Sequence, residues 1–343
     1  MRRRAIAYAL LSAALFGAST PFAKLLTGSV APLALAGLLY LGSGVGLAVW
    51  LVVRRTSLSL ARKDLPWLAG AIVAGGIVGP ALLMYGLART DAASASLLLN
   101  LEAVFTAAMA WIVFRENVDR RVFVGVLAIV AGGVVLSWEQ MPKASSALGP
   151  LLIAGACFAW ALDNNLTRRV SGGDAVVIAA LKGLVAGAAN LGLALALGAY
   201  LPAPGAIAMA GVVGLIGYGI SLVLFIMALR DLGAARTGAY FSVAPFFGAM
   251  LALLLPGTPT GPAFWAAAAL MALGVWLHLT ERHQHEHTHD PITHVHEHEH
   301  DEHHQHPHDS PWNGREPHSH THRHTPLTHR HPHYPDLHHR HGH

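Results

Sequence analysis

The first 280 residues of this chain are nearly without acid. Only nine of the 19 Asp and Glu residues lie there, and charged residues make up 12% of the whole sequence, against about 25% in soluble domains. Histidine is missing as well: all 24 lie at position 278 or later. Three ordinary classes are thereby excluded for residues 1–280: a water-soluble domain, a His-based catalytic site, and a His-rich metal site. There is one cysteine, Cys157. A single cysteine forms no internal disulfide and gives no sign of an oxidising compartment. No ATP-binding motif is present, so any energised work must draw on protons or another gradient. The sequence pI is about 9.4, yet nucleic acid is not implied. The arginines gather in short loops between apolar runs, where membrane orientation accounts for them.

Long apolar runs are present instead. A hydrocarbon core about 30 Å thick needs roughly 20 apolar residues per helix. Ten stretches meet that demand, approximately 5–27, 31–53, 65–88, 92–114, 121–138, 147–168, 175–198, 205–229, 236–256 and 262–280. The opening MRRRAIAYALLSAALFGAS has the look of a secretory leader. Its apolar run continues past Pro21 to Leu26, however, so it is read as the first span. With the N-terminus in the cytoplasm, the segments Arg2–Arg4, Arg54–Lys63, Arg115–Arg121, Arg168–Arg169 and Arg230–Arg236 fall inside and hold 14 Lys and Arg. Only Arg89 and Lys143 fall outside. This asymmetry orients the chain, and an even number of spans returns the C-terminus to the cytoplasm. The expected location is the inner membrane, with the lipid bilayer as partner.

The sequence also repeats itself. Shifted by about 141 positions, Ala88–Phe114 falls on Leu229–Leu255, with Arg89 over Arg230, Phe105 over Phe246 and Met109 over Met250. At the front the shift is about 144, laying Phe16–Gly28 over Trp160–Gly172. Five spans per half is an odd number, so the second half enters the bilayer from the opposite side. Inverted repeats of this kind are the architecture of alternating-access transporters. The expected fold is therefore an all-α polytopic membrane protein, ten transmembrane helices in two inverted five-helix repeats over 1–140 and 141–280. A disordered His-rich cytoplasmic tail over 281–343 follows.

LFGASTPFAKLL, SLLLNLEAVFTAAMAWIVFRENV, CFAWALDNNLTRRV and SVAPFFGAMLALLL carry a likeness to a known family. Over residues 5–280 the chain resembles the drug/metabolite transporter superfamily, and specifically its EamA-like members. The resemblance implies a basket in which spans 1–4 and 6–9 surround a central cavity while spans 5 and 10 support it. It implies transport of small organic solutes, often outward, and no enzyme activity. The family often has Pro after the polar pair of span 4; here Ala103 and Val104 stand there, while Pro245 is present in the second copy.

An ionisable group within a span is costly, about 2.5–3.5 kcal/mol or more at its centre, and by default marks a functional site. Glu102 with Asn100 in span 4, Asp163 with Asn164 in span 6, Lys24 in span 1 and Lys182 in span 7 meet that description. Glu102 is a candidate for proton coupling or for holding a substrate ammonium. Lys182 is a candidate counter-ion to Glu102 or a carboxylate anchor. The bland alternatives are a charge pair that only joins helices, Asp163 pairing with Arg168 or Arg169, and Lys24 snorkelling to the interface. Tyr85, Trp160, Tyr240 and Tyr218 are candidate aromatic walls, or else packing and interfacial anchors. Gly42, Gly46, Gly183 and Gly187 are read as close helix contacts.

The tail matches H-E-x-x-H twice, at His285–His289 and His296–His300, but that motif needs a folded helix. Repeated prolines and the lack of apolar residues argue against one. The pattern follows from composition, and a metalloprotease is set aside. Metal binding is a different matter. His283, His285, His287 and His289 form a first group of ligands. His294, His296, His298 and His300 form a second, and His303, His304, His306 and His308 a third. Imidazole suits Zn, Ni, Co and Cu. At three or four ligands per ion, the tail has capacity for on the order of six. No cofactor is required for transport. Three readings stand open: an organic-solute transporter with a metal-binding tail, a divalent transition-metal efflux permease, and a metal-buffering or metal-sensing module on a transporter scaffold.

Overall fold

The computed structural model describes residues 2–55, 62–114, 120–138, 147–255 and 261–280, together with tail stretches 284–289, 293–298, 318–323 and 327–332. The chain forms two compact units, Met1–Glu281 and Arg282–His343.

The first unit is helical throughout its regular structure. It begins with α1 (Arg2–Leu26) and α2 (Pro32–Arg54). Pro32 opens α2, where its missing N–H lacks a helical partner anyway. The third apolar stretch is α3 (Leu65–Ala71), a π-helical segment Ile72–Val78, and α4 (Gly79–Leu87). The fourth is α5 (Ala92–Leu98) and α6 (Leu101–Phe114), parted by a turn at Leu99 and Asn100. α7 (Arg120–Trp138), α8 (Leu148–Val170) and α9 (Ala175–Ala196) follow. Asp91 caps α5 by accepting from the Ser94 N–H at 2.8 Å, and Asp174 caps α9 by accepting from Val176 and Val177 at 2.8 and 3.1 Å, as short acceptor side chains do at helix starts. α10 (Pro204–Gly214), a second π segment Leu215–Ile220, α11 (Ser221–Phe241), α12 (Ala244–Leu253) and α13 (Pro262–Leu279) complete the unit.

Each of the ten apolar stretches is thus helical. Among the described residues, five helices are long and apolar enough to cross a bilayer: Arg4–Leu26, Pro32–Arg54, Arg62–Leu87, Ala175–Ala196 and Pro204–Leu232. Four shorter apolar helices lie over Ala92–Thr106, Phe123–Leu136, Thr237–Leu253 and Pro262–Leu277. α8 matches them in length but carries Asp163, Arg168 and Arg169. One expectation needs correction. The loop expected at Arg230–Arg236 is helical, within α11. Its Leu, Ala and Arg are strong helix formers, and a single Gly233 is too little to stop them. The break comes later, at Ser242 and Val243. There Pro245 withholds the N–H that Phe241 would need to continue the helix. The corresponding break in the first half has no proline. Asn100 makes it, donating through its side chain to the Leu97 carbonyl at 2.9 Å in competition with the backbone.

The helices pack in pairs that exchange when the halves are exchanged. α2 lies on α9, and α7 lies on α13. α1 packs on α11 and α12, and α8 correspondingly packs on α3, α4 and α6. The α2–α9 contact is backbone to backbone: a Cβ on Gly183 would lie 2.5 Å from the Gly44 nitrogen. Such proximity is available only to small residues. Large apolar side chains point outward, with Val52 76%, Leu254 78% and Trp276 58% exposed. In water that surface would be a liability; in a bilayer it meets acyl chains.

In the second unit, four stretches of the tail are extended strands: β1 (Gln284–His289), β2 (Thr293–His298), β3 (His318–Arg323) and β4 (Leu327–Pro332). β1 pairs antiparallel with β4, and β2 with β3. The reason is the period. His-x alternation repeats every two residues, which is the repeat of a strand and not of a helix. The register pairs His285 with His331, His287 with His329, His294 with His322, His296 with His320 and His298 with His318. His283, His300, His303, His304, His306 and His308 lie outside the described residues.

Candidate functional site

A cleft opens where both halves meet. α1 contributes Phe16, α2 Tyr40, α6 Glu102, α8 Trp160, Asp163 and Asn164, and α9 Lys182. The second π segment contributes Tyr218, and α11 contributes Ser221, Phe225 and Phe241. Its free volume is about 60 Å³, well above the roughly 10–15 Å³ that one water requires.

Two polar pairs sit in this cleft, and they differ in kind. Lys182, 1% exposed, bridges both oxygens of Asp163 at 2.6 and 2.8 Å and reaches Thr167 Oγ1 at 3.1 Å. Thr167 in turn donates to Asp163 Oδ1 at 2.8 Å. All three donor hydrogens of the ammonium therefore have acceptors, and the pair is closed. Glu102 is different. It accepts one hydrogen bond, from Asn164 Nδ2 at 2.7 Å, and among the described residues it pairs with no cation.

The aromatic wall is built around Phe16. Its ring meets Trp160 edge-on at 5.5 Å, Tyr218 at 5.6 Å and Phe241 at 5.5 Å. Tyr40 lies 5.4 Å from Tyr218. Two of these aromatics also hold the first π segment. Tyr40 Oη donates to the Gly75 carbonyl at 2.7 Å, and Trp160 Nε1 donates to the same oxygen at 3.0 Å. Asn190 donates to the Gly76 carbonyl at 3.1 Å. A π turn breaks the α register and frees carbonyls; here neighbouring side chains supply the donors. Gly75 has no room for a side chain, because a Cβ would fall on the Asp163 carboxylate. Across the cleft, Ser12 and Ser221 bond reciprocally, each hydroxyl donating to the other's carbonyl at 2.7 and 2.9 Å.

Of the residues singled out in the sequence, Glu102, Asp163, Asn164, Lys182, Trp160 and Tyr218 come together in the cleft. The pairing differs from expectation. Lys182 serves Asp163 rather than Glu102, and Asp163 binds Lys182 rather than Arg168 or Arg169. Arg169 instead stacks over the Trp67 ring at 5.1 Å. Four candidates stand elsewhere. Lys24 donates to the Leu87 carbonyl at 2.5 Å, at the C-terminus of α4, where a cation is favoured. Tyr85 packs near Arg89, whose guanidinium donates to the Tyr85 carbonyl at 2.9 Å. Asn100 is buried at the α5–α6 turn, donating to Leu97 and towards the Met271 sulfur at 3.8 Å. Tyr240 packs beside Ala5, Ala9, Ala228 and Leu232. Sequence reasoning passed over Phe16, Tyr40, Ser221, Phe225 and Phe241. The offset that lays Phe16 over Trp160 was a usable signal for the first of them. Among the described residues, no three His, Cys, Asp or Glu side chains converge as metal ligands.

Relatives match the chain in sequence over most of their length. An uncharacterized transporter of Methanothermobacter thermautotrophicus is 27% identical over 284 residues, covering 76% of this chain and 82% of the relative. The uncharacterized transporter YyaM of Bacillus subtilis is 26% identical over 280 residues, covering 76% and 88%. A protein of known crystal structure superposes with a TM-score of 0.63 at 19% identity, covering 79% of this chain and 95% of its own; that likeness speaks for the fold alone. The sequence profile of the EamA-like transporter family matches residues 3–138 and again 147–280. The chain belongs to the EamA-like transporter family, a multi-pass membrane fold of the drug/metabolite transporter superfamily.

Proposed function

We propose that the chain is a secondary-active exporter of small organic solutes, working from the inner membrane with both termini in the cytoplasm. Residues 1–140 and 141–280 act as two inverted halves that take turns opening the cleft to either side. The helix pairings that exchange with the halves support this, as do the breaks at Leu99–Asn100 and Ser242–Val243 and the π segments at Ile72–Val78 and Leu215–Ile220. One observation carries the reading: in a cleft lined by both halves, Glu102 has, among the described residues, a single side-chain hydrogen-bond partner and no counter-ion. A carboxylate kept in that state is available to a proton or to a substrate. The metal-export reading draws less support, since the cleft offers two carboxylates and one of them is already bridged by Lys182.

The tail, in this proposal, binds Zn, Ni, Co or Cu on the cytoplasmic side and buffers or senses the metal. Its strand registers support the idea, because they pair histidine with histidine at five positions. The transport claim is tested by profiling solutes released from cells that express the wild type or Glu102→Gln. Release of at least one solute class is expected with the wild type and not with the variant. Identical profiles with and without the protein would overturn the proposal.

A further inference from the structure

We infer that the solute this cleft selects is an organic monocation, an amine carried on an aromatic or flat apolar body. This rests on the transporter reading above and specifies its substrate. The first support is charge. The cleft holds two carboxylates and one ammonium. Asp163 and Lys182 neutralise each other through two short bonds, with Thr167 completing the ammonium's shell. Glu102 remains, bonded among the described residues to Asn164 alone. The lining therefore holds one carboxyl without a counter-charge; its ionised form is costly alone in a low-dielectric setting and is favoured when a cationic guest supplies the opposite sign.

The same geometry excludes the opposite class. A carboxylate substrate needs a free cation, and the one cationic side chain in the lining is 1% exposed and fully engaged. Recruiting it would strip Asp163 of its partner and leave that carboxylate buried alone, which is the expensive way to break such a pair.

The second support is shape. Phe16, Trp160, Tyr218 and Phe241 form a contiguous set of rings with centroids 5.5–5.6 Å from Phe16. Ring faces attract cations and stack on flat bodies. The Tyr218 hydroxyl is buried beside Ser19, so it is the ring of this residue that faces the set.

The test compares three molecules of one shape and different charge, namely tryptamine, tryptophol and indole-3-acetate. Binding to the purified full chain is measured by titration calorimetry in detergent. Tryptamine is expected to bind at least tenfold more tightly than the other two, and Glu102→Gln is expected to erase that preference. Equal or tighter binding of indole-3-acetate or tryptophol, or of tryptamine to Glu102→Gln, would overturn the inference, and so would binding of none of them. Should Glu102→Gln fail to fold, the wild-type ranking decides alone. The solute-release profile separates this claim from its parent: export of neutral or anionic solutes overturns the cation and leaves the transporter.

Discussion

Replacing Lys182 by Met puts the closed pair to a quantitative test. The change keeps the length and apolar body of the side chain and removes its charge. Lys182 and Asp163 stand 2.6 Å apart, with side chains 1% and 9% exposed. At an effective dielectric of about 20, their gross attraction is about 6 kcal/mol. Losing it does not cost that much, because the variant also escapes the desolvation of the ammonium. Asp163 is then left beside Gly75 with Thr167 as its remaining hydrogen-bond donor. The expected loss is about 3–4 kcal/mol, within the range seen when one partner of a buried pair is removed. Unfolding in mixed detergent, followed by helical circular dichroism, measures it. The double variant Asp163→Asn with Lys182→Met is expected to recover at least half of the loss, because no charge is then buried alone. A loss under about 1 kcal/mol for Lys182→Met, or a double variant no better than the single one, would refute the argument.

Other outcomes follow from the same geometry. Gly183→Val forces α2 and α9 apart where Gly44 approaches, and is expected to destabilise by about 1–3 kcal/mol in the same unfolding assay. Tyr40→Phe and Trp160→Phe each remove one donor from the Gly75 carbonyl. Each is expected to cost about 1 kcal/mol, and together more than the sum, since the second loss leaves the oxygen without a partner; additivity would count against the shared acceptor. Truncation after residue 281 is expected to remove most zinc binding by the purified chain, read by equilibrium dialysis, while leaving solute release intact.

Much of the scaffold could be read directly from the residues. The ten apolar stretches are helical because length and hydropathy leave little else for them in a bilayer. Glu102, Asp163 and Lys182 stood out because charge within such a stretch is rare. Their partnership did not. Asp163 and Lys182 are 19 positions apart on different helices, and on sequence alone Glu102 is the candidate partner of the lysine while Arg168 or Arg169 is that of Asp163. The placement of α8 and α9 around one cleft decides it. The π segments were invisible for another reason: GGIV and IGYG read equally well as α-helix, and in the first of them the lateral donors from Tyr40, Trp160 and Asn190 mark where the register slips. Lys24 and Tyr85 looked like cavity groups because sequence gives a residue's position along a helix but not which neighbour its tip will reach.

Tyr40 and Trp160 each have two duties. Their rings wall the cleft, while their polar tips fasten the same kinked turn of the third apolar stretch through Gly75. A guest that pushes either ring aside must loosen that fastening, and the helix is then free to straighten or rewind. Occupancy is thereby coupled to backbone shape by two hydrogen bonds on one oxygen, a hinge whose pin is also the lining of the room it opens.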